Sequence, residues 1–324
     1  MKYYSSDYFI KLKDLALQYA RSNYDYCYLR AMHERNRCVG TPTIIAGSSH
    51  AMNGIVNEKI DGGCINFSVS SQDIYYDFLH IKKALREGKT KIKNCIINIG
   101  YYMLYQDLSS SKVMSYLIPR VYEPLFGDTH HYKSEKPYDM LQKLTFEREI
   151  YSEELIYRLG SEWAAGFFSD EPSYYGSMLT RENNNILGIK KVIWNQLTDE
   201  EKKDAAIKRT NDHNRLKKHI QSRTENAEII YEMAEYLYQK GVIPIFVIFP
   251  FTAWYNSYID KEYKQDIVRV LESLPFPVEF LDMNDYEGIF DDSDFLDTDH
   301  LNMQGALKAT EFLNEFLMLV NERG

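Results

Sequence analysis

Apolar residues along this chain fall into five short runs, separated by longer segments in which apolar positions recur with helical spacing. The runs occupy residues 43–46, 64–69, 93–100, 242–250 and 277–283. Such runs are typical of strands that are buried on both faces of a parallel sheet. Their alternation with helical stripes predicts an α/β protein, a three-layer α/β/α sandwich with a central parallel five-stranded sheet.

Helical stripes are predicted at residues 6–20, 74–85, 225–241 and 261–274, with one more helix after Gly305. Gly88 and Gly241 stand where two of these helices should end.

The alternation of strands and helices is lost between residues 104 and 224, which predicts a large, mostly helical insertion, either a lid or a helical subdomain. Residues 41–103 and 225–324 then form the α/β core, and residues 1–40 form an N-terminal helical segment. Within the insertion, Thr198 and Glu201 have the spacing of a capping box before a lysine-rich helix.

Composition narrows the class of protein. With 324 residues and 44% hydrophobic content, the chain can bury a substantial core. Its net charge of −9 argues against a general nucleic-acid binder, whose surface would carry a basic excess. The four cysteines form no CxxC pair, and no apolar run is long enough for a signal peptide or a membrane span. We therefore expect reduced thiols, no stable membrane insertion and a cytoplasmic protein.

The stretch TIIAGSSHAMNGI, residues 43–55, predicts a buried strand that breaks at Gly47 and opens a helix. Ser48 and Ser49 are both good N-cap residues, and Ser49 stands on the corner. Nucleophilic serines of α/β enzymes are often placed at such a corner, although the same composition also suits an ordinary turn.

A second stretch, FLDTDHLNMQG at residues 295–305, supplies Asp297 and His300 just before the C-terminal helix. A nucleophilic serine needs an imidazole to accept its proton and a carboxylate to fix the tautomer of that imidazole. This one loop can provide both groups. The alternative is a helix-capping loop in which Asp297 and Asp299 only solvate a turn.

Taken together, the two stretches resemble the SGNH, or GDSL-like, hydrolase superfamily of serine esterases and acyltransferases. Residues 47–49 match its first block, with Ser49 as nucleophile, and residues 297–300 match its last block, with His300 as base and Asp297 as the orienting acid. The form GSS and the ending of the chain are similar to branches that handle bacterial cell-surface polymers, including alginate-type O-acetyltransferases and D-alanyl transfer proteins of teichoic acid synthesis. The resemblance implies a flavodoxin-like fold, and it covers the core strands and both ends but not the middle of the chain.

The resemblance also implies an oxyanion hole. A glycine of the superfamily donates its backbone N–H near the end of the second strand, and Ser71 occupies that place here; a backbone donor needs no particular side chain. After the third strand, where the superfamily has an asparagine, this chain has Tyr101 and Tyr102. We expect the donors among Ser49, Ser71, Tyr101 and Tyr102. The alternative for this segment is that Ser70 or Ser71 caps the next helix.

These residues predict serine-dependent acyl transfer or ester hydrolysis without a cofactor. The resemblance implies the substrate, a small-molecule or glycan ester such as a carbohydrate or glycan precursor. The alternative is a catalytically weak protein of the same fold that binds or assembles components in surface-polysaccharide biosynthesis. His50 is a less favoured base, since the side chain next to the serine tends to point away from its hydroxyl.

Two further features are weaker signals. His130 and His131 have no acidic or cysteine partners at ligand spacing, so we expect no metal. Lys and Arg outnumber Asp between residues 202 and 223, which indicates either a solvated helix face or a landing surface for an anionic carrier.

Overall fold

The computed structural model describes residues 24–89, 91–133 and 194–323. Contacts divide the chain into two units, one formed by Met1–Met32 and Leu108–Tyr175 and the other by His33–Asp107 and Gly176–Gly324. The helix predicted at residues 6–20 lies outside the described residues, as do residues 134–193 of the predicted insertion.

The second unit is built on a parallel five-stranded sheet with the strand order β2-β1-β3-β4-β5. Its strands coincide with the five predicted apolar runs, which confirms the predicted sheet. The strands and the apolar runs agree because the sheet is buried: every residue of the central strands β1 and β3 is buried. The strands are β1 (Thr43–Ala46), β2 (Cys64–Asn66), β3 (Asn94–Asn98), β4 (Ile243–Ile248) and β5 (Glu279–Asp282).

Nine α-helices occur in the described residues. They are α1 (Tyr24–Cys38), α2 (Ser49–Gly54), α3 (Ile74–Glu87), α4 (Glu123–Phe126), α5 (Asp199–Asn214), α6 (Ile220–Lys240), α7 (Ala253–Tyr258), α8 (Glu262–Glu272) and α9 (Met303–Arg323). Gly241 ends α6 in a left-handed conformation, with φ of 65°.

Two predictions about helix starts have different outcomes. The capping box of Thr198 and Glu201 is present at the start of α5 and is confirmed. The alternative in which Ser70 or Ser71 caps α3 is wrong, because Asp73 caps this helix and its carboxylate accepts the N–H of Tyr76.

Helices cover both faces of the sheet, as the predicted three-layer sandwich requires. On one face, apolar side chains of all five strands pack in one cluster against α9. On the other side, α3 contacts β1, α6 contacts β4, and the two helices contact each other. The first face contains Ile45, Ile96, Val247 and Leu281 from the strands, with Ala309, Leu313 and Leu317 from α9.

In the first unit, the described residues form the beginning of α1, a 3-10 turn at Leu108–Ser110, a π-helical turn at Ile118–Tyr122, and α4. Gly127 ends α4 with φ of 69°, a left-handed conformation that suits glycine.

The expectations about thiols and membrane spans can be compared with the described residues. Cys38, Cys64 and Cys95 are free thiols. None of the helices in the described part of the chain combines the length and the apolar character that crossing a membrane requires.

Candidate active site

The corner after β1 presents Ser49 at the carboxyl edge of the sheet. A Cβ at Gly47 would lie 2.4 Å from Cβ of Asn98 on β3, so the two strands can approach this closely only with glycine here. Ser48 is the N-cap residue of α2, but its hydroxyl caps no N–H of that helix. Its hydroxyl and its N–H both donate to Oδ1 of buried Asn98, at 3.1 and 3.3 Å. These bonds fix the backbone directly before Ser49.

His300 lies against this corner. Its Nε2 is 2.8 Å from Oγ of Ser49, and its Nδ1 is 3.0 and 3.1 Å from the two carboxylate oxygens of Asp297. The hydroxyl, the imidazole and the carboxylate therefore form one continuous hydrogen-bonded row. The structure thus brings together the three residues that the two sequence stretches supply.

The loop that carries Asp297 is held by its own backbone. Oδ1 of Asp297 accepts the N–H groups of Asp299 at 3.1 Å and of His300 at 2.9 Å. The N–H of Leu296 donates to the carbonyl of His300 at 2.8 Å, which closes the loop at its base. These bonds orient the Asp297 carboxylate independently of its contact with the His300 ring, so the row does not rest on a freely rotating Asp297 side chain.

A second acid, Asp299, lies in the same loop but points into the protein. Only 2% of its side chain is exposed, whereas 51% of the Asp297 side chain is exposed. Its carboxylate accepts from Nε of Arg209 at 3.0 and 2.8 Å and lies 3.3 Å from Nε2 of His50. It also lies 3.6 Å from Nδ1 of His300. Two carboxylates therefore flank one imidazole.

His50, the alternative base, is engaged elsewhere. Its Nε2 faces Asp299, and its ring is buried and stacked on the His300 ring with centroids 5.0 Å apart. Burial lowers the pKa of His50, although the hydrogen bond to Asp299 acts in the opposite direction. The imidazole at the Ser49 hydroxyl is that of His300.

Helix α5 supplies Arg209 and is held in place by contacts along one of its faces. Nζ of Lys202 donates to Asp292 at 2.7 Å, seven residues before the Arg209 contact with Asp299. Farther along the same face, Nδ1 of His213 lies 2.6 Å from the hydroxyl of Tyr255 on α7. For residues 202–223 the sequence predicted either a solvated helix face or a landing surface for an anionic carrier. Lys202 and Arg209 fit neither description, because both side chains bind acidic residues of the unit that contains the sheet.

The charges of this cluster set the protonation of His300. Burial disfavours the protonated ring, but the carboxylates of Asp297 and Asp299 outweigh burial and raise the pKa of His300 to about 8. Burial also acts to raise the pKa of Asp299, yet the charges of His300 and Arg209 hold that pKa well below its usual range. Asp299 is therefore ionised at neutral pH.

Three of the residues predicted for the oxyanion hole, Ser71, Tyr101 and Tyr102, differ in backbone conformation and in the contacts of their side chains. Ser71 has a left-handed backbone, with φ of 62°, a conformation that favours glycine. The Tyr101 hydroxyl donates to Oδ2 of Asp282 at 2.9 Å, so its proton is already engaged. The Tyr102 ring stacks on His213 with centroids 3.6 Å apart. The oxyanion role of all four residues stays a prediction.

His50, Asp299 and His300 offer ring nitrogens and a carboxylate oxygen within 4.8 Å of one another. However, the guanidinium of Arg209 lies against the Asp299 carboxylate, and a cation there would meet its positive charge. We therefore assign no metal to this cluster.

Sequence reasoning missed Arg209, Asn98 and the inward direction of Asp299. The available signals were the position of Asp299 next to His300 and the seven-residue spacing from Lys202 to Arg209, which matches that of Asp292 and Asp299. Neither signal says which acidic side chain Arg209 will contact, because that depends on how α5 packs.

The fold and the site define an α/β protein with a Ser-His-Asp row at the carboxyl edge of a parallel sheet. The sheet is compatible with a flavodoxin-like fold. No protein-family model matches the sequence. A comparison with curated proteins also finds no match.

Proposed function

We propose that this protein is an SGNH-type serine esterase or acyltransferase, in which Ser49 forms an acyl-enzyme with an ester substrate. The observation that carries this proposal is the 2.8 Å contact between Oγ of Ser49 and Nε2 of His300, on a ring whose Nδ1 faces Asp297. An Nδ1–H that donates to Asp297 leaves Nε2 free to accept the serine proton. This is the tautomer that a general base requires.

In the proposed reaction, His300 removes the Ser49 proton while Oγ attacks the ester carbonyl. The tetrahedral oxyanion then needs hydrogen-bond donors, and the backbone N–H groups of Ser49 and Ser71 are the preferred candidates because Asp282 already engages the Tyr101 hydroxyl. His300 next gives its proton to the leaving alcohol, and the ester carbonyl becomes the acyl group on Ser49. Water or a sugar hydroxyl resolves this intermediate with the same base.

The substrate class rests on the resemblance to branches that handle surface polymers. We propose an ester on a carbohydrate or glycan precursor, since the chain also carries 27 tyrosines that can stack on sugar rings. No cofactor is needed for this chemistry.

Activity-based labelling tests the proposal. The purified protein is treated with a fluorophosphonate, the modified peptide is identified by mass spectrometry, and turnover of p-nitrophenyl acetate is measured in parallel. We expect the label on Ser49, and we expect Ser49→Ala and His300→Ala to lower turnover at least about 1000-fold. The matched controls are Ser257→Ala and His131→Ala, which make the same changes at exposed positions. Turnover that is indifferent to both site substitutions would remove the proposal.

One observation favours a second candidate function. The chain lacks the asparagine that the superfamily uses in the oxyanion hole, and the Tyr101 hydroxyl that could replace it is engaged with Asp282. Removing a side-chain donor costs about 100 to 1000-fold in rate. The second candidate is therefore a catalytically weak binding or assembly protein for surface polysaccharides. It predicts an unlabelled Ser49 together with measurable affinity for glycans or nucleotide sugars by calorimetry.

A further inference from the structure

His300 has two acids beside it, although the Asp-x-x-His motif accounts for only one. Asp297 contacts Nδ1 directly, but half of its side chain faces solvent, where water weakens its charge interactions. Asp299 is slightly farther from Nδ1, at 3.6 Å, and is almost completely buried. A buried charge acts over that distance with much less screening.

Asp299 is also held in one orientation. Nε and Nη2 of Arg209 both approach its Oδ2 at 2.8 Å, and the ring of His50 closes the remaining side at 3.3 Å. Charge-assisted bonds from a guanidinium are the strongest that a carboxylate commonly receives. The contact of Asp299 with His300 is therefore part of a built arrangement that extends from α2 to α5.

We propose that Asp299 is a second positioning carboxylate for His300, fixed by Arg209 and His50, so that two acids orient one general base. The proposal rests on the proposed function for its role in catalysis. Its electrostatic part, the coupling of Asp299 to His300, stands independently of any reaction.

In this arrangement, Asp299 and Arg209 have opposite effects on the protonation of His300. Asp299 stabilises the imidazolium that forms when His300 accepts a proton, whereas Arg209 disfavours it. With both acids ionised, Arg209 leaves one net negative charge around the ring, which balances the imidazolium. His50 and His213 also face this cluster, but burial lowers the pKa of each and keeps both rings neutral. Tyr102 is neutral as well, because burial raises its pKa.

The coupling can be measured without a substrate. The pKa of His300 is followed in the full-length protein by NMR of its carbon-bound ring protons between pH 5 and 10, and the resonance is assigned with His300→Gln. We expect Asp299→Asn to lower this pKa by about one unit, a tenfold change in the ratio of protonated to neutral ring. We expect Arg209→Gln to raise it, and Arg209→Lys, which keeps the positive charge, to leave it closer to the wild-type value.

Circular dichroism and thermal melting identify variants that remain folded. A folded Asp299→Asn protein with the wild-type pKa of His300 would overturn the proposal. If Asp299→Asn does not fold, Asp299→Ser decides by the same measurement, and a wild-type pKa of His300 in that folded variant overturns the proposal equally.

A catalytic measurement separates this proposal from the proposed function. If Ser49 is active, the rising limb of the pH profile of kcat/KM should move to lower pH in Asp299→Asn and to higher pH in Arg209→Gln. If Ser49 proves unreactive but the two NMR shifts occur, the proposed function fails while the coupling of Asp299 to His300 is retained.

Discussion

Gly305, at the start of α9, lies where the last helix meets the loop that carries His300. A Cβ at Gly305 would lie 2.2 Å from the carbonyl oxygen of Asp294, 2.7 Å from Cδ2 of Leu301 and 3.0 Å from Cβ of Asp294. The carbonyl of Asp294 cannot move aside easily, because it also accepts the N–H of Asn302 at 2.9 Å. We predict that Gly305→Ala destabilises the protein and separates the loop from the helix.

Two opposing effects set the magnitude of this change. Alanine is favoured over glycine in a helix by about 1 kcal/mol. Overpacking in a tight contact costs about 1–3 kcal/mol and occasionally more, and contact with a fixed backbone oxygen belongs at the upper end. The contact therefore outweighs the helix propensity, and we expect a net loss of about 2 kcal/mol in the free energy of unfolding.

Urea unfolding followed by circular dichroism measures this loss, and fluorophosphonate labelling measures its effect on Ser49. The matched control is Gln304→Ala, an exposed neighbour in the same helix, which should stay within about 0.5 kcal/mol of the wild type. A Gly305→Ala protein as stable as that control would refute the reasoning, because the contact would then have relaxed without cost.

The remaining predictions concern the Ser49 corner and His300. Gly47→Ala should sharply lower the labelling rate of Ser49, because the new Cβ displaces Asn98 and frees Ser48; a wild-type rate in the folded variant would contradict this. Since only the neutral ring accepts a proton and the pKa of His300 is about 8, the labelling rate should rise about 90-fold from pH 6 to pH 9; a flat profile would exclude His300 as the base. The same pKa exceeds the ordinary 6.5, so folding favours the protonated ring, and this stabilisation is complete below pH 6.5 and lost as the pH rises through about 8. The stability difference between the wild type and His300→Gln should therefore shrink by about 2 kcal/mol between pH 6 and pH 9 in urea unfolding.

Much of the fold could be predicted from the sequence because its signals are local. Strands such as β3 and β4 are buried on both faces, so their apolar runs stand out without any knowledge of their neighbours. The meeting of Ser49 and His300 follows from topology, since the carboxyl ends of parallel strands share one edge of the sheet. The fold class thus places both stretches at one edge of the sheet, and the loop after β5 then carries His300 from the edge strand to Ser49.

The remainder of the site depends on packing between distant elements. The sequence around Arg209 contains several basic residues, and no periodicity marks which of them turns toward an acid. Asp297 and Asp299 are the same residue type and only two positions apart, yet Asp297 faces solvent and Asp299 is buried. The alternative cap of α3 at Ser70 or Ser71 is wrong for a related reason. Ser70, Ser71 and Asp73 are all good N-cap residues, and the sequence does not say which of them caps the helix.

The presence of Arg209 at this site has an electrostatic reason. A general base must release its proton as well as accept it, so its pKa has to lie near the working pH. Two ionised carboxylates beside one imidazole would hold the proton too strongly, and the Arg209 guanidinium offsets one of them. Helix α5 thus supplies the charge that keeps His300 able to lose its proton. A truncation that removes α5 should therefore change the chemistry of Ser49 even if the sheet still folds.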